Sequence, residues 1–337
     1  MKRAKLLLII LVVLLTTGCG SSIKDENKKL VVYKETGQSI QNNILCRPTN
    51  EKLLKLYSKY DKKLKISIKK LPECKNFKIT SNKSSGIWEF LFVKPLAFII
   101  LKLGYAIKNF GLSVMIVGIL IRVILLPFSK KSQLQSENMK KAAPEIQRLE
   151  IKYRDKNDSE SLMQKSQEQM LIYKKYGINP LSGCLLAFIQ LPLFFGFLQA
   201  INRVPAIFEG KFLNLNLGMT PSTGIAKGNY FYIILVVLVI LTTYYSFKNS
   251  LAQTSAGQPG QAKSMLIMML VMIFVASFSL PTAIALYWIS TNAFIVIQNY
   301  IIDKSINKNK NNKEKKDKKD KKNRVSIKEK TEKRRGN

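Results

Sequence analysis

The chain has 337 residues, 47% of them hydrophobic and 23% charged, with a formal net charge of +34. It contains no histidine, which removes His-based triads, imidazole acid–base chemistry and zinc sites of the H-E-x-x-H kind. The four cysteines, Cys19, Cys46, Cys74 and Cys184, show no C-x-x-C spacing, so no metal site is expected. Apolar blocks long enough to cross hydrocarbon alternate with basic stretches, the pattern of a polytopic membrane protein.

The N-terminus, "MKRAKLLLIILVVLLTTGCG", has the anatomy of a signal peptide over residues 1–18. Lys2, Arg3 and Lys5 form the charged region, Leu6 to Leu15 the apolar region, and small residues follow. The ending "TTGC" resembles a bacterial lipobox with Cys19 as the lipidated residue, although Thr16 stands where Leu is commonest. Ordinary cleavage and an uncleaved anchor are the alternatives. Residues 19–87 are lysine-rich and broken by Pro48 and Pro72. An exported signal places this segment outside the cell, as a small domain or a loose stalk. Cys46 and Cys74 are a candidate disulfide there, since that compartment permits one.

From Trp88 to Lys108 the chain is apolar but carries Lys94, Lys102 and Lys108 within one third of a helical wheel. Such a stripe predicts an interfacial amphipathic helix, with a spanning helix and snorkelling lysines as the alternative. Five spans follow, at about 110–128, 182–201, 230–247, 264–280 and 282–302. Residues 130–180 hold eleven Lys/Arg and residues 202–229 hold three. The positive-inside rule therefore puts 130–180 and the C-terminus in the cytoplasm, in agreement with an exported N-terminus.

Segment 130–180 reads as a helical hairpin. Met139, Ala142, Ala143, Ile146, Leu149 and Tyr153 repeat at three and four on one arm. Leu162, Met170 and Tyr173 continue the seam on a second arm, with Asn157 and Glu160 at capping-box spacing. The tail 303–337 carries sixteen Lys/Arg against six acids, a net +10 on a low-complexity segment too polar to fold alone. Ribosomal RNA and anionic lipid headgroups are the polyanions within its reach.

No catalytic motif is present. "GQPGQAKS" at 257–264 differs from a phosphate-binding loop because Ala262, not Gly, precedes Lys263. No cofactor is implied, and catalysis, ATP hydrolysis in particular, is unsupported.

Four stretches together resemble one family: "IRVILLPFSKKS" (121–132), "KKAAPEIQRLEIKY" (140–153), "YKKYGINPLSGCLLAFIQLPLFFGFLQAI" (173–201) and "LPTAIALYWISTNAFIVIQNYII" (280–302). The chain resembles the YidC/Oxa-type membrane-protein insertases, in the five-span lipoprotein form of Gram-positive bacteria, over roughly 88–302. The resemblance implies an all-α integral membrane protein that inserts and folds nascent membrane proteins without ATP, alone or with the Sec translocon. It implies that Arg122 faces a hydrophilic groove open to the cytoplasm and to lipid. A lone cation at mid-bilayer costs about 2.5–3.5 kcal/mol on insertion scales and usually faces a bundle interior or water. Snorkelling of Arg122 to the inner surface is the alternative reading. Gln190 and Asn292 are further groove candidates, or else interhelical hydrogen-bonding groups. Trp288 matches the family's substrate-touching aromatic position, or else belongs to the interfacial belt.

A solute or ion transporter would call for paired ionisable groups or inverted repeats, and Arg122 stands alone among the five spans. An intramembrane enzyme lacks both a His and an intramembrane acid. A membrane assembly chaperone that inserts nothing is not separable by sequence.

Overall fold

The computed structural model describes residues 22–82, 86–156, 158–179, 182–254, 259–306 and 308. The expected signal peptide over 1–18, Cys19, Asn157 and the tail beyond residue 308 lie outside the described residues. The chain divides into two compact units, one up to Phe294 and one from Ile295 onwards.

The first unit opens with a small domain over 22–82. β1 (Val32–Tyr33) pairs antiparallel with β2 (Gln38–Ser39), with Val32 opposite Ser39. Gly37 turns the hairpin at φ +77°, a conformation that side chains with a Cβ resist. α1 (Glu51–Lys59) starts where the Asn50 side chain accepts from the Lys52 and Leu53 amides. Ile23, Val31, Ile40, Leu53, Tyr57 and Leu71 form a buried core under the ladder. Cys46 and Cys74 are joined by a disulfide, with Cα atoms 4.9 Å apart. The lysines stay on the surface, so a lysine-rich composition coexists with a core here.

A π-helical turn (Glu89–Val93) leads into α2 (Lys94–Ile107), which ends at Lys108 in the left-handed region, φ 56°. α3 (Phe110–Ile124) begins one residue after Asn109 caps it by accepting from Leu112. The tight turn sets α3 against α2, where the Ser113 hydroxyl donates to the Ile100 carbonyl at 2.6 Å. Lys94 is 1% exposed, so it does not lie on the charged stripe expected from the wheel. Glu89–Ile107 meets the length and composition of a crossing helix, as does Phe231–Lys248.

The expected span 110–128 is broken. α3 stops at Leu125, and α4 (Leu126–Lys152) leaves at an angle of 60°. Pro127 sits in the first turn of α4, where its missing N–H is harmless. α5 (Ser159–Lys175) runs back against α4. Ion pairs Lys152–Glu168, Lys165–Glu150 and Lys175–Glu145 show the antiparallel register. Ala142, Ile146, Leu149 and Tyr153 are buried as the spacing required. Leu162 and Met170 are half exposed and lie outside the seam, whereas Ile172, Tyr173 and Tyr176 pack into it. Asp158 caps α5 by accepting from Ser161, one residue after the Asn157 of the expected capping box.

α6 (Ser182–Arg203) contains Pro192 and is followed by a short α7 (Pro205–Phe208). β3 (Lys211–Phe212) and β4 (Leu215–Asn216) form a second antiparallel hairpin, so the mostly helical chain is not purely α. After α8 (Pro221–Ala226) come α9 (Phe231–Thr254), α10 (Pro259–Ser279) and, at the end of the first unit, α11 over 282–294. The apolar core of the first unit gathers residues of α2, α3, α6, α9 and the start of α11. The second unit is helical over 295–306.

Candidate functional site

Arg122 lies in the last turn of α3, one turn after Gly118. Gly118 has no side chain, which lets α11 approach at Tyr287 and Thr291. Arg122 is thereby carried to the same face and is 7% exposed. Its Nη2 donates to Gln190 Oε1 on α6. The Tyr287 hydroxyl on α11 lies close enough to interact with Arg122 and Gln190. Two helices, α6 and α11, thus each bring one polar group towards the cation on α3. Among the described residues no carboxylate pairs with Arg122. Its described hydrogen-bond partner is the neutral amide oxygen of Gln190, which leaves the charge able to attract an external anion.

Trp288 and Asn292 form a second polar cluster one turn along α11. Trp288 Nε1 and Asn292 Nδ2 each donate to Thr243 Oγ1 on α9, both at 3.0 Å. The Thr243 hydroxyl in turn donates to the Val239 carbonyl at 2.6 Å. Trp288 is half buried, with its ring edge-on to Phe194 of α6 at a centroid distance of 5.2 Å. Asn292 is 4% exposed. Phe197 stacks on Tyr287 at 4.1 Å and fills the space beside both clusters.

Sequence reasoning singled out Arg122, Gln190, Trp288 and Asn292. The fold brings Arg122 directly to Gln190, and Trp288 to Asn292 through Thr243. Thr243 and Tyr287 were not singled out. Thr243 had a signal: Tyr232, Val236, Val239, Thr243 and Ser246 recur at four and three, and all five are buried. That face turns from apolar to polar at Thr243.

The arrangement holds no metal-ligating group of three or more His, Cys, Asp or Glu among the described residues. It offers a buried cation, an amide, an aromatic wall and a threonine hydroxyl, which suits non-covalent accommodation of a polar or acidic peptide.

The chain matches the family model described as 60Kd inner membrane protein over residues 102–311. It is 36% identical over 221 residues to membrane protein insertase YidC 2 of Bacillus anthracis, covering 65% of this chain and 82% of that relative. It is 38% identical over 221 residues to membrane protein insertase YidC of Alkalihalophilus pseudofirmus, with 65% of this chain and 82% of the relative covered. Membrane protein insertase MisCA of Bacillus subtilis is 36% identical over 231 residues, covering 67% of this chain and 83% of the relative.

Proposed function

Because the chain belongs to the YidC/Oxa family of 60Kd inner membrane proteins, we propose that it is a membrane-protein insertase of the bacterial cell membrane. The observation that carries the mechanism is Arg122: a buried cation whose described partner is the neutral Gln190. A nascent protein with a polar or acidic outer tail would exchange water for Arg122, Gln190 and Asn292, while its apolar segment slides past Trp288 into lipid. Burying that segment releases about 25 cal/mol per Å² of apolar area, which drives transfer of a short tail without ATP. The Sec translocon is the natural partner for substrates with longer tails.

The topology proposed with this function has five spans, the α4–α5 pair as a cytoplasmic hairpin and the lipid-modified Cys19 outside. In this scheme α2 with its preceding turn lies at the outer interface, although its length also suits a crossing. The tail 303–337, at net +10, docks on ribosomal RNA, because an insertase acts on chains still leaving the ribosome.

The test is reconstitution of the purified protein in liposomes with a small single-span substrate and no ATP. Protection of the substrate's outer tail from added protease is the expected outcome. An exposed tail at the level of empty liposomes rules the reading out. Truncation after Asp303 should lower ribosome co-sedimentation and leave tail protection of small substrates intact. Growth with labelled palmitate should mark the protein, and Cys19→Ser should abolish the label.

A further inference from the structure

Arg203, the last residue of α6, is 3% exposed. Its Nη2 lies 3.0 Å from Glu89 Oε2, and its Nε donates to the Asn43 carbonyl at 2.7 Å. Its own carbonyl accepts from the Leu45 amide at 2.8 Å. The other Glu89 oxygen is 3.9 Å from Lys94 Nζ. The Lys94 ammonium spends its remaining donors on the carbonyls of Ser81 (2.9 Å) and Asn82 (2.7 Å). Two cations and one carboxylate are thus buried together. Bringing such charges out of water is unfavourable unless every donor is satisfied. The carbonyls that satisfy them, at residues 43, 81 and 82, all belong to the N-terminal domain.

A ring of weaker contacts surrounds this lock. Gln38 Nε2 donates to Asn202 Oδ1 at 3.0 Å. Glu209 accepts from the Asn50 amide at 3.1 Å and from the Thr49 hydroxyl. Lys227 Nζ donates to the Glu35 carbonyl at 2.7 Å. Phe208 is a member of the N-terminal domain's own core. The polar anchors on the helical core fall within 89–94 or 202–227. Gln190 lies thirteen residues before Arg203, about 20 Å away along α6 at 1.5 Å per residue. The domain therefore grips one end of the core and leaves the Arg122 cluster at the other. The domain also precedes the family match, which begins at residue 102.

We propose that residues 22–82 form a fixed cap that closes the outer end of the helical core, with Arg203 and Glu89 as its positioning residues. The assignment of that end to the outside rests on the insertase reading above. The cap ties the turn before α2 to the end of α6, so these ends cannot part when a substrate enters from the opposite side. Water and ions are kept from following the substrate's polar tail outward.

Val204, 0% exposed beside the lock, reports closure. The full chain carrying Val204→Cys is reconstituted in liposomes and exposed to a membrane-impermeant maleimide, and labelling at residue 204 is read by mass spectrometry. Near-complete protection is expected in this parent. Glu89→Gln should raise the labelling rate at least tenfold, because it leaves both cations unpaired. Glu209→Ala, at an exposed anchor, should raise it by a smaller factor. Resistance of the buried Cys46–Cys74 bond to a mild reductant checks that the cap stays folded; if Glu89→Gln loses that resistance, Glu209→Ala decides alone. Rapid labelling of the parent, or protection in every folded variant, overturns the cap. Substrate insertion by the parent, scored in the same liposomes, tests the insertase reading separately: failed insertion with intact protection removes that reading and leaves the closure standing.

Discussion

Gly118 lies so close to Tyr287 that a Cβ at position 118 would stand 2.9 Å from Tyr287 Cδ2, and 2.9 Å from Thr291 Cγ2. A β-branched side chain and an aromatic ring held by Phe197 have little freedom to withdraw. Alanine gains about 1 kcal/mol of helix propensity over glycine. Overpacking a tight helix contact costs about 1–3 kcal/mol and shifts the backbone. Gly118→Ala should therefore melt at lower temperature in detergent, and Gly118→Leu lower still. Arg122 sits one turn on, so insertion should fall with the melting temperature. An unchanged melting temperature for the leucine variant would show that α3 and α11 are not in firm contact.

The Arg122–Gln190 bond separates two kinds of substitution. Arg122→Lys keeps a cation within reach of Gln190, and insertion of substrates with acidic outer tails should stay within about threefold, under 1 kcal/mol. Arg122→Ala removes the cation, and the same substrates should lose tail protection tenfold or more. Substrates with neutral tails should lose less. Equal protection by Arg122→Ala on every substrate would exclude a role for the charge.

Thr243 is the shared acceptor of Trp288 and Asn292, and its loss is a cleaner test than replacing either donor. Thr243→Val has the same shape but leaves Trp288 Nε1 and Asn292 Nδ2 without that oxygen. A buried donor left unpaired costs about 1–3 kcal/mol. Thr243→Val should lower the melting temperature and red-shift the Trp288 emission as the ring loosens. Thr243→Ser should restore both, because the oxygen returns. A valine variant indistinguishable from the parent in both measurements would remove Thr243 from the site.

These residues differ in how far the sequence exposes them. Arg122 is legible at once, because a charge in an apolar run has few places to go. Thr243 is uncharged and lies in "VVLVILTTYYSF", where only the buried four–three spacing marks it. The seam of α4 was readable from its period, since one helical face packs on one partner. On the α5 arm Tyr173 packs into the seam as its spacing indicates, whereas Leu162 and Met170 are apolar yet half exposed, and spacing alone cannot show that. The helical wheel puts Lys94 on the charged stripe of an interfacial helix, yet it is buried. Its partners Glu89, Ser81 and Asn82 are brought to it by the folded N-terminal domain, which no local period announces. The sequence leaves open whether that segment is a domain or a stalk, because its core comes from short ladders, one helix and a disulfide rather than from one repeating face.

The α4–α5 pair should loosen in acid. Glu145 accepts from Lys175 Nζ at 2.6 Å and from the Tyr176 hydroxyl at 2.8 Å. Glu168 accepts from Lys152 Nζ at 2.6 Å and from the Tyr153 hydroxyl at 2.9 Å. In both cases the lysine hydrogen bond, then the tyrosine, holds the carboxyl below its ordinary value of 4.5. A depressed folded-state value means that the paired form gains stability above 4.5 and loses it as pH falls through the lower, folded-state value. Spin labels at the exposed positions Arg148 and Leu171 should give one narrow distance distribution at neutral pH. The distribution should broaden as pH falls below 4.5 and on through the lower folded-state value, and raised salt should broaden it at neutral pH because surface pairs are screened. Glu145→Gln with Glu168→Gln should be broad at neutral pH and insensitive to acid. If that double variant stays narrow, the apolar seam of Ala142, Ile146 and Leu149 holds the arms together by itself, and the carboxylates only decorate it.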